Sequence, residues 1–202
     1  MTSDFGFKKL FGEEPNKDLL ISFLNEVFEG KKHIRDLDFA RSEALADGSG
    51  EGGAIFDLVC TGADGEKFII EIQRARQENF KKRALFYTSR LISNQAPKGR
   101  RSDWGYDITE VYMVAILDKF TITETLDPQY LHDVCLCERT TGKVFYDGLG
   151  YVYIELQKFT KQESELASDL DRWLFVLKNM SRLKKIPLYL RKTIFEKVFD
   201  IA

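Results

Sequence analysis

Residues 55–73, IFDLVCTGADGEKFIIEIQ, leave a folding chain few options. Two six-residue runs, IFDLVC and FIIEIQ, are dense in Val, Ile and Phe, and a turn built on Asp64-Gly65 joins them. Apolar density of that kind predicts two strands of one hairpin, buried on both faces. Each run nevertheless carries an acid, Asp57 in the first and Glu71 in the second. An ionised carboxylate in such a strand is costly unless something pairs with it, so two side by side point to a bound metal ion.

Whether they lie side by side depends on the loop, because strand side chains alternate and a slip of one residue moves a whole set to the other face. With a three-residue loop of Ala63, Asp64 and Gly65, and Gly65 in the left-handed bulge position, Gly62 pairs with Glu66 and partner numbers sum to 128. Asp57 then faces Glu71, and Gln73 shares their side. With a two-residue Asp64-Gly65 loop the sum is 129 and the acids point apart. A metal site requires the longer loop.

Charge is segregated along the chain. The formal net charge of -2 argues against a generally basic nucleic-acid binder, yet residues 74–101 hold nine Lys or Arg against the single acid Glu78. A basic block that begins one residue after Gln73 suits a phosphate-binding approach to a metal; a solvated helix face is the plainer alternative. At 202 residues and 44% hydrophobic the chain is long enough for one domain, 1–202, with a sizeable core. The helices expected over about 161–201 can be an appended helical part. No apolar run reaches the ~18 residues of a membrane helix and the N-terminus lacks a signal-peptide core, so a cytoplasmic location is expected.

Other chemistries find little support. Cys60, Cys135 and Cys137 are too few for a disulfide framework, and Cys135-x-Cys137 lacks the second ligand pair of a zinc site. Gly48, Gly50 and Gly53 spell G-x-G-x-x-G, but the stretch opens a strand where the dinucleotide fingerprint must open a helix. His33 and His132 have no nucleophile or acid paired with them by sequence, which disfavours Ser-His-Asp and Cys-His hydrolases.

Around the hairpin, periodicity predicts helices over 3–11, 16–29 and 78–94, an edge strand at 37–41, and strands at 110–118, 130–138 and 151–157. Strand, helix and strand from 67 to 118 imply a right-handed crossover and parallel pairing. Thr160-x-x-Glu163 reads as a capping box opening a helix to about Met180. A last helix runs from Pro187 through Leu190, Ile194, Val198 and Ile201. On the 78–94 helix, Phe80, Ala84, Tyr87 and Leu91 form one face, with Lys82, Arg83 and Arg90 elsewhere around it.

The D, then E-x-Q, at a strand, turn and strand resembles the PD-(D/E)XK nucleases, and within them the recombination-promoting nuclease and transposase family. Four stretches carry the resemblance: DFGFKKLFG at 4–12, FDLVCTGADGEKFIIEIQ at 56–73, Arg83-x-x-x-Tyr87, and YIELQKF at 153–159. It implies an α/β, restriction-endonuclease-like mixed central sheet flanked by helices, and metal-dependent cleavage of DNA. The implied ligands of Mg (or Mn) are Asp57, Glu71 and the Ile72 backbone carbonyl, with Gln73 as the third catalytic residue. Lys82, Arg83, Arg90 and Tyr87 would face the DNA. Asp4 and Lys8 are raised as edge-of-site residues, although they also read as an i,i+4 pair on a surface helix. Glu26 is a lesser candidate for an acid on the second helix. Gln73 departs from the superfamily, which usually has Lys there, so positive charge must come from elsewhere, with Arg74, Lys82 and Arg83 nearest. A silent nucleic-acid-binding relative and a protein-interaction module remain as alternatives, and a homo-oligomer is left open.

Overall fold

The computed structural model describes residues 3–40 (3–5 by backbone alone), 57–97, 104–123, 126–180, 194, 197 and 198. Six strands form one mixed sheet in the order β1-β2-β3-β4-β6-β5. They are β1 Leu37–Phe39, β2 Leu58–Gly62, β3 Lys67–Gln73, β4 Val111–Leu117, β5 Leu131–Cys137 and β6 Val144–Glu155. The β3-β4 and β4-β6 pairs are parallel and the rest antiparallel. Helices α1 Ser3–Phe11, α2 Lys17–Val27, α3 Phe80–Ser93 and α4 Asp169–Asn179 flank it.

The hairpin takes the longer loop. Leu58 pairs with Ile70 and Val59 with Ile69, the register that sums to 128. Gly62 donates its N–H to the Glu66 carbonyl at 2.8 Å, Gly65 donates to Gly62 at 3.0 Å, and Gly65 sits at φ +88°. Only glycine takes that conformation without strain, and a Cβ there would meet Thr109 Cγ2 at 3.2 Å. Gly65→Ala is therefore expected to destabilise by about 1–2 kcal/mol, lowering Tm by about 2–8 °C in a circular-dichroism melt. An unchanged Tm would contradict this account of the turn.

Strand alternation divides the core in two. Phe68, Ile70, Ile72, Val114, Ile116, Val152 and Ile154 line one face, covered by α1, α2 and α4. There the Trp173 ring lies 5.7 Å from Phe11 and 5.9 Å from Phe23, so α4 closes over the first two helices. Val59, Ile69, Met113, Ala115, Leu117, Tyr151 and Tyr153 line the other, covered by α3 through Phe80, Ala84 and Leu91. The parallel β3-α3-β4 crossover packs α3 on the sheet face that Glu71 shares, with Arg83 within reach of that carboxylate.

Several expectations change. The 160–163 box does not open the fourth helix: Glu163–Glu165 is a 3-10 turn boxed by Gln162 and Glu165, and α4 starts at Asp169. Ser168-x-x-Asp171 satisfies the same pattern at the right place, since Ser168 Oγ accepts from Asp171 N at 3.1 Å and the buried stripe follows immediately. The β6 strand begins at Val144, earlier than 151, because pairing with β5 extends its first half beyond the core. On α3 Thr88 takes the buried place expected for Tyr87: its hydroxyl meets Tyr151 Oη at 2.7 Å, and Tyr87 is half-buried beside it. Most of the last predicted helix, and Arg41 of the edge strand, lie outside the described residues. Val198 is buried and Ile194 half-buried against the α1-α2-α4 face.

Candidate active site

The two acids meet where β2 begins and β3 ends. Asp57 stands in a bend one residue before β2, in line with Glu71 by the hairpin register. Its Oδ2 accepts the Ile72 N–H at 2.8 Å, which fastens the carboxylate to the edge of β3. Because a strand residue's N–H and C=O point the same way, the Ile72 carbonyl faces that edge too. Lys8, arriving on α1, puts Nζ 3.4 Å from Asp57 Oδ1 while its side chain stays 47% exposed.

Glu71 points to the opposite face from its neighbours Ile70 and Ile72, toward α3, and is 3% exposed. Arg83 Nη2 lies 3.0 Å from its Oε1, whereas Oε2 is buried with no hydrogen-bond partner. Burial pushes the Glu71 pKa up to about 6; Arg83 opposes that rise and the charge of Asp57 adds to it. One guanidinium does not offset the lost hydration. Arg83 is itself held by Gln77, which accepts from its Nη1, and by the Tyr87 ring 5.3 Å below its guanidinium.

The raised pKa fixes a sign for metal-free protein. The unfolded chain ionises Glu71 first, so its favourable contribution is complete below about pH 4.5 and is lost as pH rises through about 6. A shift from 4.5 to about 6 corresponds to about 2 kcal/mol. In EDTA, urea midpoints of wild type minus Glu71→Gln should fall between pH 4.5 and 7; a flat difference would contradict the burial of an ionised Glu71.

The other candidates are less close to the acids. Gln73 shares the Glu71 face by alternation, but its Nε2 donates to the Ala75 carbonyl at 3.2 Å. Arg74 is turned to Asp118 at 3.4 Å, so the compensating charge beside the acids comes from Arg83 and Lys8. Lys82 is exposed, and the Arg90 guanidinium lies 5.9 Å over the Phe86 ring. Glu26 is half-buried on α2, in the helix layer across the sheet from the Glu71 side chain. The Asp4 side chain and residues 98–101 of the basic block lie outside the described residues.

Two partnerships were not legible in the sequence. Gln77 as a support for Arg83 leaves no signal at all. Glu155 did leave one, an acid within the apolar run YVYIELQ, the same sign that marks Asp57 and Glu71. It is fully buried and collects the Ile122 N–H at 2.7 Å, the Thr123 N–H at 3.0 Å and Lys158 Nζ at 2.9 Å, with His132 Nε2 at 3.6 Å.

Among the described residues no three His, Cys, Asp or Glu gather as a metal-holding group. A metal here would rest on the two carboxylates and the Ile72 carbonyl. These are hard oxygen donors, and the unpartnered, buried Oε2 of Glu71 is an acceptor that a cation fits. The family model of the PD-(D/E)XK nuclease family transposases matches residues 1–202. The chain belongs to this family. Its six-stranded mixed sheet with helices on both faces accords with the restriction-endonuclease-like architecture of such nucleases. No curated protein and no solved structure matches the chain. No helix among the described residues is long and apolar enough to cross a membrane.

Proposed function

We propose that the chain is a Mg- or Mn-dependent DNA endonuclease that hydrolyses phosphodiester bonds at the Asp57–Glu71 pair. The observation that carries this reading is Glu71, a buried carboxylate with one oxygen on Arg83, the other without a partner, and Asp57 opposite it. A bound divalent ion would polarise the scissile phosphate and lower the pKa of a coordinated water for in-line attack. Asp57, Glu71 and the Ile72 carbonyl would hold it.

The chain's own cations do the remaining electrostatic work. Arg83, fixed by Glu71, Gln77 and Tyr87, is pre-organised to stabilise charge developing on phosphate oxygens. Lys8, beside Asp57 and half open to solvent, offers the ammonium charge that the superfamily's usual third-position Lys carries and an amide cannot. Gln73 holds the chain at Ala75 as it leaves β3. Lys82 and Arg90, with Tyr87, take the DNA backbone on the way to the acids.

A catalytically silent DNA-binding relative is the second reading, favoured by the engagement of the Gln73 amide with Ala75. Incubation of supercoiled plasmid with the protein in Mg, in Mn and in EDTA separates the two. Nicking that requires the metal and disappears in Glu71→Gln supports the endonuclease. Retarded mobility of DNA without nicking in either metal would leave only the silent binder.

A further inference from the structure

We propose that the outer face of α3 is a stacking platform for unpaired DNA bases, with Phe86 as its principal ring, so that the substrate is single-stranded or locally opened DNA. The inference rests on the DNA reading above and adds its substrate class. The sequence of α3, FKKRALFYTSRLIS, has four cations and no acid. Its inner stripe of Phe80, Ala84, Thr88 and Leu91 is buried, as an amphipathic helix requires. The outer side should then be polar throughout, yet Leu85 is 52% and Phe86 57% exposed.

These apolar groups are ordered into a row. Arg83 lies 5.3 Å over Tyr87, the Tyr87 and Phe86 rings meet edge to face at 5.5 Å, and Arg90 lies 5.9 Å over Phe86. The row begins at the guanidinium that touches Glu71 at 3.0 Å, so it leads outward from the acids. Two adjacent rings with a guanidinium at each end match a strand with its phosphates and bases separately available. An intact duplex presents phosphates and groove edges, and its base faces are covered by their neighbours. The exposed Phe86 ring therefore has a use only where bases are unpaired. A second copy of the same face is disfavoured, since a two-fold contact would bring four cations against four.

The test measures binding, with no dependence on cleavage. Full-length Glu71→Gln protein in EDTA is titrated into a labelled oligothymidylate and a blunt duplex of equal length, followed by fluorescence anisotropy. Adding Phe86→Ala should weaken oligothymidylate binding by on the order of tenfold or more, with duplex binding changed by less than about twofold. The slope of log affinity against log salt should not move, because no phosphate contact is lost. Phe86→Trp should retain single-strand affinity, and Phe86→Leu, which keeps apolar bulk without a π-face, should behave as Phe86→Ala. Equal losses on both DNAs, no loss on either, or a dimer in sedimentation that Phe86→Ala converts to monomer would each overturn the platform. Plasmid nicking that persists while Phe86 has no effect removes this inference alone. Phe86-dependent binding without nicking by the wild type removes the nuclease reading alone.

Discussion

Glu71→Gln and Asp57→Ala are each expected to reduce metal-dependent plasmid nicking by on the order of a thousandfold, because each withdraws one of the two anionic oxygen donors at the centre of the proposed chemistry. Their effects on the metal-free fold diverge. From the sequence, two facing acids should repel, so that removing either relieves the fold. The contacts separate them. Glu71 is buried with an unpartnered oxygen and a pKa of about 6, so Glu71→Gln should stabilise the protein in EDTA at pH 8 by up to about 2 kcal/mol. Asp57 accepts the Ile72 N–H and faces Lys8, so Asp57→Ala leaves a donor unsatisfied and should cost about 1 kcal/mol. Urea unfolding in EDTA, beside the nicking assay, reads both signs. Either variant nicking at the wild-type rate would remove the pair from the chemistry, and equal stability shifts would remove the asymmetry.

Glu155→Ala should be among the most destabilising single changes in the sheet, at about 3–5 kcal/mol, since it breaks a buried ion pair and strands its donors. Burial works against ionisation of Glu155. The bonds from Lys158, the Ile122 N–H and Thr123 outweigh it, and the carboxyl is held below its ordinary pKa. Thr123 Oγ1 adds a bond at 2.9 Å, and Lys158 Nζ meets that hydroxyl at 2.6 Å. One side chain at the end of β6 thus ties down residues 122–123, which follow β4. Glu155→Gln keeps the acceptor oxygen but loses charge, and should cost clearly less than the alanine variant. The urea midpoint of the two variants measures this, and a Glu155→Ala midpoint equal to wild type would refute the clasp.

The same carboxylate marks a limit on what periodicity reveals. An acid in an apolar strand announces that a partner exists and does not say which. For Asp57 and Glu71 the placement opposite each other was local, within fifteen residues of one hairpin whose register is set by a glycine at positive φ, while their cationic partners came from α1 and α3. For Glu155 the partners come from 122–123, 132 and 158, and no turn rule joins them.

The sequence by itself narrowed the hairpin to two registers and determined the parallel crossover through α3, most of the apolar stripes of the helices and the segregation of positive charge after β3. Each follows from short-range chemistry, namely strand alternation, turn geometry and helical repeat. The fourth helix shows where such rules run short, because the expected box at Thr160 lies eight residues before the one at Ser168, and burial of Trp173 against Phe11 and Phe23 favoured Ser168 as the start. Only the tertiary structure decided that Lys8 meets Asp57, that Arg83 turns to Glu71 while Arg74 turns to Asp118, and that Phe86 faces outward. Long cationic side chains reach several acids from one backbone position, and which one they take is set by where separate elements pack.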